Sequence, residues 1–427
     1  MRPIIAAIAI CLTISAMGCS KDSSVEEFIA EAFAHVKTGD FAKAEDAALA
    51  GLAKARSSFG ENSYEETVML GSLASVYTES GDLNEAVIIL EQSVKIHEGH
   101  LGTNTREAGQ AYHDLASLYY DAGRVVETED TLKKALTSYE EMGGSDVTML
   151  VTAIKDLAWF YKRESRDGEA IPLLERAIKM QAEKSPEARG GMAGDYFDLA
   201  VSYENAGDVK KATPLLVKAL ELERERFGPD HPSVIQAMMD LSINYEAQLE
   251  FQKARDLVEQ AYALEKEKRG EEDGKVVDTL RRLSVLEDKL GHLNVAIEHL
   301  NRVIELSEKR LGENHPAVIA DIVELALMYE EKGEFNNALP LFERELEYKI
   351  RKLGMNHPDV AVSYIDIARN LVSQGKMDKA KPLMERAIQI RTAALGADHP
   401  DVKNLRRDYE QLSAMRVVIR PAVSGEE

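Results

Sequence analysis

Apolar positions along residues 319–352, IADIVELALMYEEKGEFNNALPLFERELEYKIRK, recur with a helical rather than a strand period. Leu325, Ala326 and Tyr329 fall on one face of a first predicted helix, because residues three and four apart lie above one another there. Gly333 follows where glycine commonly ends a helix. Phe335, Ala338, Leu341, Phe342 and Leu346 then make the apolar stripe of a second helix. The segment predicts helix, turn, helix.

The same columns return every 42 residues. Leu73, Leu115, Leu157, Leu199, Leu241, Leu283, Leu325 and Ile367 share one position of the first helix. Ala74, Ala116, Ala158, Ala200, Ser242, Ser284, Ala326 and Ala368 share the next. A tyrosine column holds Tyr77, Tyr119, Tyr161, Tyr203, Tyr245 and Tyr329. In the second helix Ala44, Ala86, Ala170, Ala212, Ala254, Ala296, Ala338 and Ala380 coincide. Small residues let two helices approach closely while leucines and aromatics fill the remaining space. Between units FGPDHPSV, LGENHPAV, LGMNHPDV and LGADHPDV begin at Phe227, Leu311, Leu353 and Leu395. The column Gly60, Gly102, Gly144, Gly228, Gly270, Gly312, Gly354 and Gly396 is interrupted only by Pro186. Such a period marks a repeat array, whose units stack over one elongated core. Nine units of 42 residues fit residues 25–398. Residues 399–416 supply the polar-faced capping helix that terminal repeats need, and 417–427 read as a disordered tail. Repeats 1, 3, 4 and 5 are degenerate at the turn between units, so the N-terminal half should be less regular.

Leu-Ala-x-x-Tyr, a glycine, then an alanine nine residues after the tyrosine resembles the tetratricopeptide repeat. The period alone also fits HEAT or armadillo repeats; the column identities decide. The family unit is 34 residues, and the additional eight are the LG-x-x-HP stretch. With IPLLERA at Ile171 and KPLMERA at Lys381, residues 25–416 are similar to the 42-residue repeats of kinesin light chains and related bacterial proteins. The resemblance implies an all-α, right-handed superhelical solenoid of about nine repeats, with first helices lining a concave groove. It implies a scaffold that binds a protein or peptide partner, as an adaptor or assembly factor. Self-association into a structural scaffold is the alternative.

The N-terminus is a separate object. MRPIIAAIAICLTISAMGC holds one basic residue, an apolar run and small residues before Cys19, the layout of a signal peptide over residues 1–18. The run is shorter than the ~20 residues of a membrane-spanning helix. Small residues before a cysteine resemble the lipobox of bacterial lipoproteins, which implies acylation of Cys19, a tether over 19–24 and attachment to the cell envelope. Ser20 favours the periplasmic face of the outer membrane in a Gram-negative host. Plain secretion with cleavage nearby and an uncleaved anchor are the other readings. Cys11 and Cys19 are the two cysteines, so a mature chain lipidated at Cys19 has no thiol for disulfide, zinc or nucleophile chemistry. The net charge of −22 argues against nucleic acid and anionic lipid partners, leaving the lipid as the membrane contact.

Candidate chemistry changes this picture little. His231, His315, His357 and His399 occur once per repeat. Zn–N bonds are about 2 Å and packed helices lie about 8–10 Å apart, so these histidines cannot share a metal. Asp230, Asn314, Asn356 and Asp398 are instead expected to cap the next helix, with the proline in its first turn. No nucleophile elbow, phosphate loop or His-Glu-x-x-His occurs; no enzyme activity, cofactor, metal or small-molecule substrate is expected. The residue before the core leucine is more telling: Ser72, Asp114, Asp156, Asp198, Asp240, Arg282, Glu324 and Asp366. In the family this position commonly carries an Asn that bonds a peptide backbone. The resemblance therefore implies that Asp114, Asp156, Asp198, Asp240, Glu324 and Asp366 form an acidic stripe for an extended or basic peptide. Alternatively they bond neighbouring helices or sit on a wet surface. Trp159, Val201, Ile243, Val285 and Leu327, three residues further on, are expected to pack between repeats, or else to offer apolar contacts to a partner.

Overall fold

The computed structural model describes residues 23–143, 147–184 and 191–414. The signal peptide, Cys19, Gly144, Pro186 and the 417–427 tail lie outside the described residues. Nineteen α-helices and no strand occur among the described residues, in two compact units divided after Leu222.

The first unit opens with α1 (Ser23–Thr38) and α2 (Phe41–Phe59), then α3 (Tyr64–Ser80) and α4 (Leu83–Ile96). It continues with α5 (Arg106–Asp121), α6 (Val125–Glu141), α7 (Val147–Arg163), α8 (Asp167–Lys184), α9 (Ala193–Asn205) and α10 (Val209–Phe227), within whose last turns the division falls. The second unit holds α11 (Pro232–Ala247), α12 (Phe251–Arg269), α13 (Gly274–Lys289), α14 (Leu293–Leu311), α15 (Pro316–Glu331) and α16 (Phe335–Leu353). α17 (Pro358–Ser373), α18 (Met377–Leu395) and the single α19 (Pro400–Ala414) complete it. Each odd helix is the first of a repeat and each even helix the second, giving nine pairs and a terminal helix. This is an α-solenoid.

The columns are the core. All eight leucine or isoleucine positions and all eight small positions beside them are buried, as are the second-helix alanines. Thr128, which fills the one gap in that alanine column, is buried too. Where serine replaces alanine its hydroxyl is satisfied: Ser284 Oγ donates to the Ala296 carbonyl at 2.8 Å and Ser242 Oγ to that of Met239 at 2.6 Å. A buried hydroxyl left unpaired would cost about 1–3 kcal/mol.

The tyrosine column staples repeats together. Tyr77, Tyr119 and Tyr161 donate to Glu45, Glu91 and Glu129 of the preceding second helix at 2.7, 2.8 and 3.1 Å. The hydrogen bond to Glu45, and then burial, push the Tyr77 hydroxyl up to about 12, so it remains a donor at any ordinary pH. In the seventh repeat the column carries Glu287, 1% exposed. Its partner 32 residues earlier is Arg255, at 2.7 Å, the same separation as Tyr77 to Glu45. His292 contacts the other oxygen at 2.7 Å. The staple persists with its polarity reversed.

The turns refine the expected caps. Gly60, Gly312, Gly354 and Gly396 close second helices with φ near +90°, a conformation that L side chains resist. The N-caps of α11, α15 and α17 are His231, His315 and His357. Each Nδ1 accepts the N–H two residues on, at 3.2 Å, and His399 does the same at α19. Asp230, Asn314, Asn356 and Asp398 stand one residue too early to cap. They reach other groups: Asn314 accepts from Arg351 and Asn356 from Arg386, both at 2.7 Å, while Asp230 pairs with Lys268 and Asp398 with Lys403. The first unit is the less regular. After α4, residues His97–Leu101 form a π-helical turn, and Gly102 N–H bonds His97 five residues back where Gly312 reaches Glu308, four back.

Candidate interaction face

The residue before the core leucine and the residue two after it are three apart, so both lie on one face of each first helix. The six acids of that face are all half-buried. Their surroundings differ along the chain. On α5, Asp114 accepts from Gln110 at 2.8 Å and lies 3.6 Å from His113 Nδ1. His113 Nε2 reaches across to Asp156 of α7 at 3.0 Å. Burial works against a charge on His113, yet the carboxylates of Asp114 and Asp156 more than offset it and hold the imidazolium up to about 10. Asp198 of α9 pairs with Lys162 of α7 at 2.5 Å, and the buried Asp195 with Lys155. In the first unit, then, Asp156 and Asp198 meet cations of the preceding repeat, and Asp114 the histidine beside it on its own helix.

The second unit differs. Asp240 accepts from Gln236 at 3.0 Å, and burial raises its pKa against that bond and the nearby Arg282. Burial likewise raises Glu324, reinforced by the charges of Asp321 and Asp288. Asp366 is raised by burial against the opposing charge of Arg369, 3.3 Å away on its own helix. Arg282, the one base in the column, pairs with Glu246.

Three apolar residues expected to be buried between repeats remain about half open to solvent. Trp159, Ile243 and Leu327 are 49, 51 and 52% exposed, and Val201 and Val285 are half-buried. Trp159 is nonetheless fixed: Tyr120 meets it edge-on at 4.9 Å and the Arg163 guanidinium lies 5.9 Å from the ring centre. The pairing of Asp198 with Lys162 was legible, since opposite charges stand 36 residues apart in adjacent first helices, as do Glu246 and Arg282. Among the described residues, no three His, Cys, Asp or Glu side chains gather as a metal site would require, and no helix is long and apolar enough to cross a membrane. What this face offers is contact: indole, aliphatic side chains and carboxylates on rigid helices.

Comparison with known proteins agrees with the columns. A tetratricopeptide repeat family model matches residues 107–183, 195–267 and 319–393, and a second matches 68–107 and 276–317. No curated protein sequence matches. Among solved structures, TPR-like repeats ascribed to a kinesin light chain of Podosopora anserina are 25% identical, with a TM-score of 0.42, over 48% of this chain and 96% of that one. BtubC (BKLC) from P. vanneervenii is 23% identical, with a TM-score of 0.40, over 54% of this chain and 92% of that one. The apo form of RapI is 15% identical, with a TM-score of 0.49, over 86% and 97%. The assignment rests on the repeat models, the first of which covers more than half of the sequence: the chain belongs to the tetratricopeptide repeat family.

Proposed function

We propose that this protein is a non-catalytic interaction scaffold that binds an extended, basic segment of a partner protein along its first-helix face, while acyl chains on Cys19 tether it to the cell envelope. Tetratricopeptide arrays mediate protein–protein interactions, and the observation that carries the finer reading is local. Trp159, Ile243 and Leu327 leave large apolar surface in water on the face that also bears half-buried carboxylates. Aromatic and aliphatic anchors beside charged groups are the composition of binding hot spots. Asp114, Asp156, Asp198, Asp240, Glu324 and Asp366 set the sign of the partner.

The test is capture from envelope extract on the immobilised chain, with the eluted partner then titrated against variants. Ile243→Asp or Leu327→Asp should weaken that partner at least about tenfold, which is 1.4 kcal/mol. Unchanged affinity in both would remove the face from the binding reaction. The tether is tested separately: Cys19→Ser should move the protein from the membrane to the soluble fraction, and continued sedimentation with membranes would count against lipidation.

A further inference from the structure

We infer that residues 416–423 of this chain, Arg-Val-Val-Ile-Arg-Pro-Ala-Val, are a built-in occupant of the first-helix face, lying extended across α17 onto Leu327 of α15 and Val285 of α13. The inference rests on the interaction-face reading above and deepens it, because a partner segment must then displace this one.

The reach follows from where α19 ends. α19 joins the array as a first helix: His399 caps it as His315 and His357 cap α15 and α17. Tyr409 stands 42 residues after Ile367, in the core-leucine column. The chain beyond Ala414 therefore starts at the end of the layer where α15 and α17 also end. In those repeats Gly333 and Gly375 then turn the chain toward a second helix, but Val417 stands at that place here. Val417, Val418 and Ile419 favour extended backbone, and Pro421 pushes Arg420 the same way. Extended chain advances about 3.3 Å per residue, so the nine residues to Val423 span about 30 Å. Packed helices lie about 8–10 Å apart, so that length crosses α17 and α15 and arrives at α13. Side chains hold these first helices in that order: Asn370 of α17 donates to Glu330 of α15 at 2.7 Å, and Arg281 of α13 to Asp321 of α15 at 2.7 Å.

What this face leaves open, the segment supplies. Leu327 is 52% exposed and Val285 half-buried, on helices that also carry Glu324 and Asp366. The exposed base nearby, Arg369, is taken up by Asp366 at 3.3 Å. In a chain of net charge −22, no acid occurs between Glu410 and Glu426, while Arg416 and Arg420 bracket three β-branched apolar residues. Valine and isoleucine can cover the open aliphatic surface, and arginine lays its methylene stem there with its guanidinium turned to carboxylates. The segment is thus the extended, basic and apolar ligand that the face was read to accept. A short tether also gives it an effective concentration on the order of millimolar, which favours the chain's own face over that of a second copy.

The test uses the full chain and a fluorescein-labelled peptide of residues 413–425, read by anisotropy. A tail variant carries Arg416→Gln, Ile419→Ser and Arg420→Gln together, which frees the face. The peptide should bind this variant at least about tenfold more tightly than the native chain, since the tethered competitor is gone. Adding Leu327→Ser to the variant should erase that gain, and the partner captured from extract should also bind the variant more tightly. Equal peptide binding to native chain and tail variant, or a gain that survives Leu327→Ser, would overturn the proposal. So would a native molar mass that rises with concentration while the tail variant stays monomeric, because the segment then occupies a second copy. The interaction face is judged apart from this. If the peptide shows no preference but Leu327→Asp still weakens the captured partner, the face stands without its built-in occupant. If neither responds to substitution of Leu327, both readings fail.

Discussion

A single histidine per repeat does more than mark a turn. His315 Nδ1 takes the Ala317 N–H, one of the four donors that a helix start leaves without an internal partner. Removing such a cap costs about 1 kcal/mol. His315→Ala should therefore lower stability by about that amount in urea unfolding, and His315→Ser should restore much of it. Asn314→Ala should leave the cap untouched and lose only the contact from Arg351. The cap was legible in part. Proline favours the first helical position, so the residue before Pro316 is already the N-cap; the usual preference for Asn and Asp at caps pointed one place too early. His113 makes a second prediction. Its folded pKa is raised to about 10 from an unfolded value near 6.5, so its contribution is full below about pH 6.5. It is lost as pH rises through about 10. The Tm difference between native protein and His113→Gln should be largest near pH 6 and close by about pH 10.5. A difference that grows with pH would show that His113 is not charged between Asp114 and Asp156.

Turns and helix crossings separate glycines that look alike in sequence. In seven repeats the turn between the two helices contains a glycine at positive φ, but Ser165 and Leu249 hold the same place at φ 57° and 60°. A non-glycine residue in this left-handed region costs about 1–2 kcal/mol, and the added freedom of glycine in the unfolded chain returns roughly half of that. Leu249→Gly, at an exposed side chain, should raise stability by about 0.5–1 kcal/mol. Helical glycines diverge in the same way. A Cβ on Gly109 would lie 2.6–2.9 Å from three atoms of the Tyr139 ring, whereas one on Gly71 meets nothing within 4 Å. Gly71→Ala should gain up to about 1 kcal/mol from helix propensity. In Gly109→Ala the same gain is outweighed by a clash costing about 1–3 kcal/mol, so its midpoint should fall. The core columns were fully readable because burial repeats with the period. The exposure of Trp159, Ile243 and Leu327 was not, because an apolar residue beside a core position has the same identity whether the next repeat covers it or not. Sequence alone records composition at that place, and only the packing of adjacent first helices reveals the open side.

A solenoid unit contacts only its neighbours, so its ends carry faces that nothing would cover without a dedicated element. In the second unit that element is α19. Val402 and Leu405 are buried, Leu405 within the cluster that includes Ala387 and Ile390 of α18, and Tyr409 donates to Glu385. The opposite side of α19 is polar, with Lys403, Asn404, Arg406 and Arg407 exposed. This division was visible in the sequence as one apolar stripe on an otherwise charged helix. Two large side chains taken out of water contribute about 1.5–3 kcal/mol each, so removal of α19 should destabilise the last repeat by about 3–6 kcal/mol. It would also expose the apolar face that α19 covers, and a terminal face made of an interior surface is complementary to other interior surfaces. A chain ending at Leu395 should show a second, lower thermal transition by calorimetry and a molar mass that rises with concentration by light scattering. A shortened chain that keeps the native transition and stays monomeric would mean that α18 already ends the core, leaving α19 as surface decoration. Replacing Val402 and Leu405 together with serine in the intact chain separates the two terms: the lower transition should appear while the polar outer side of the helix is retained.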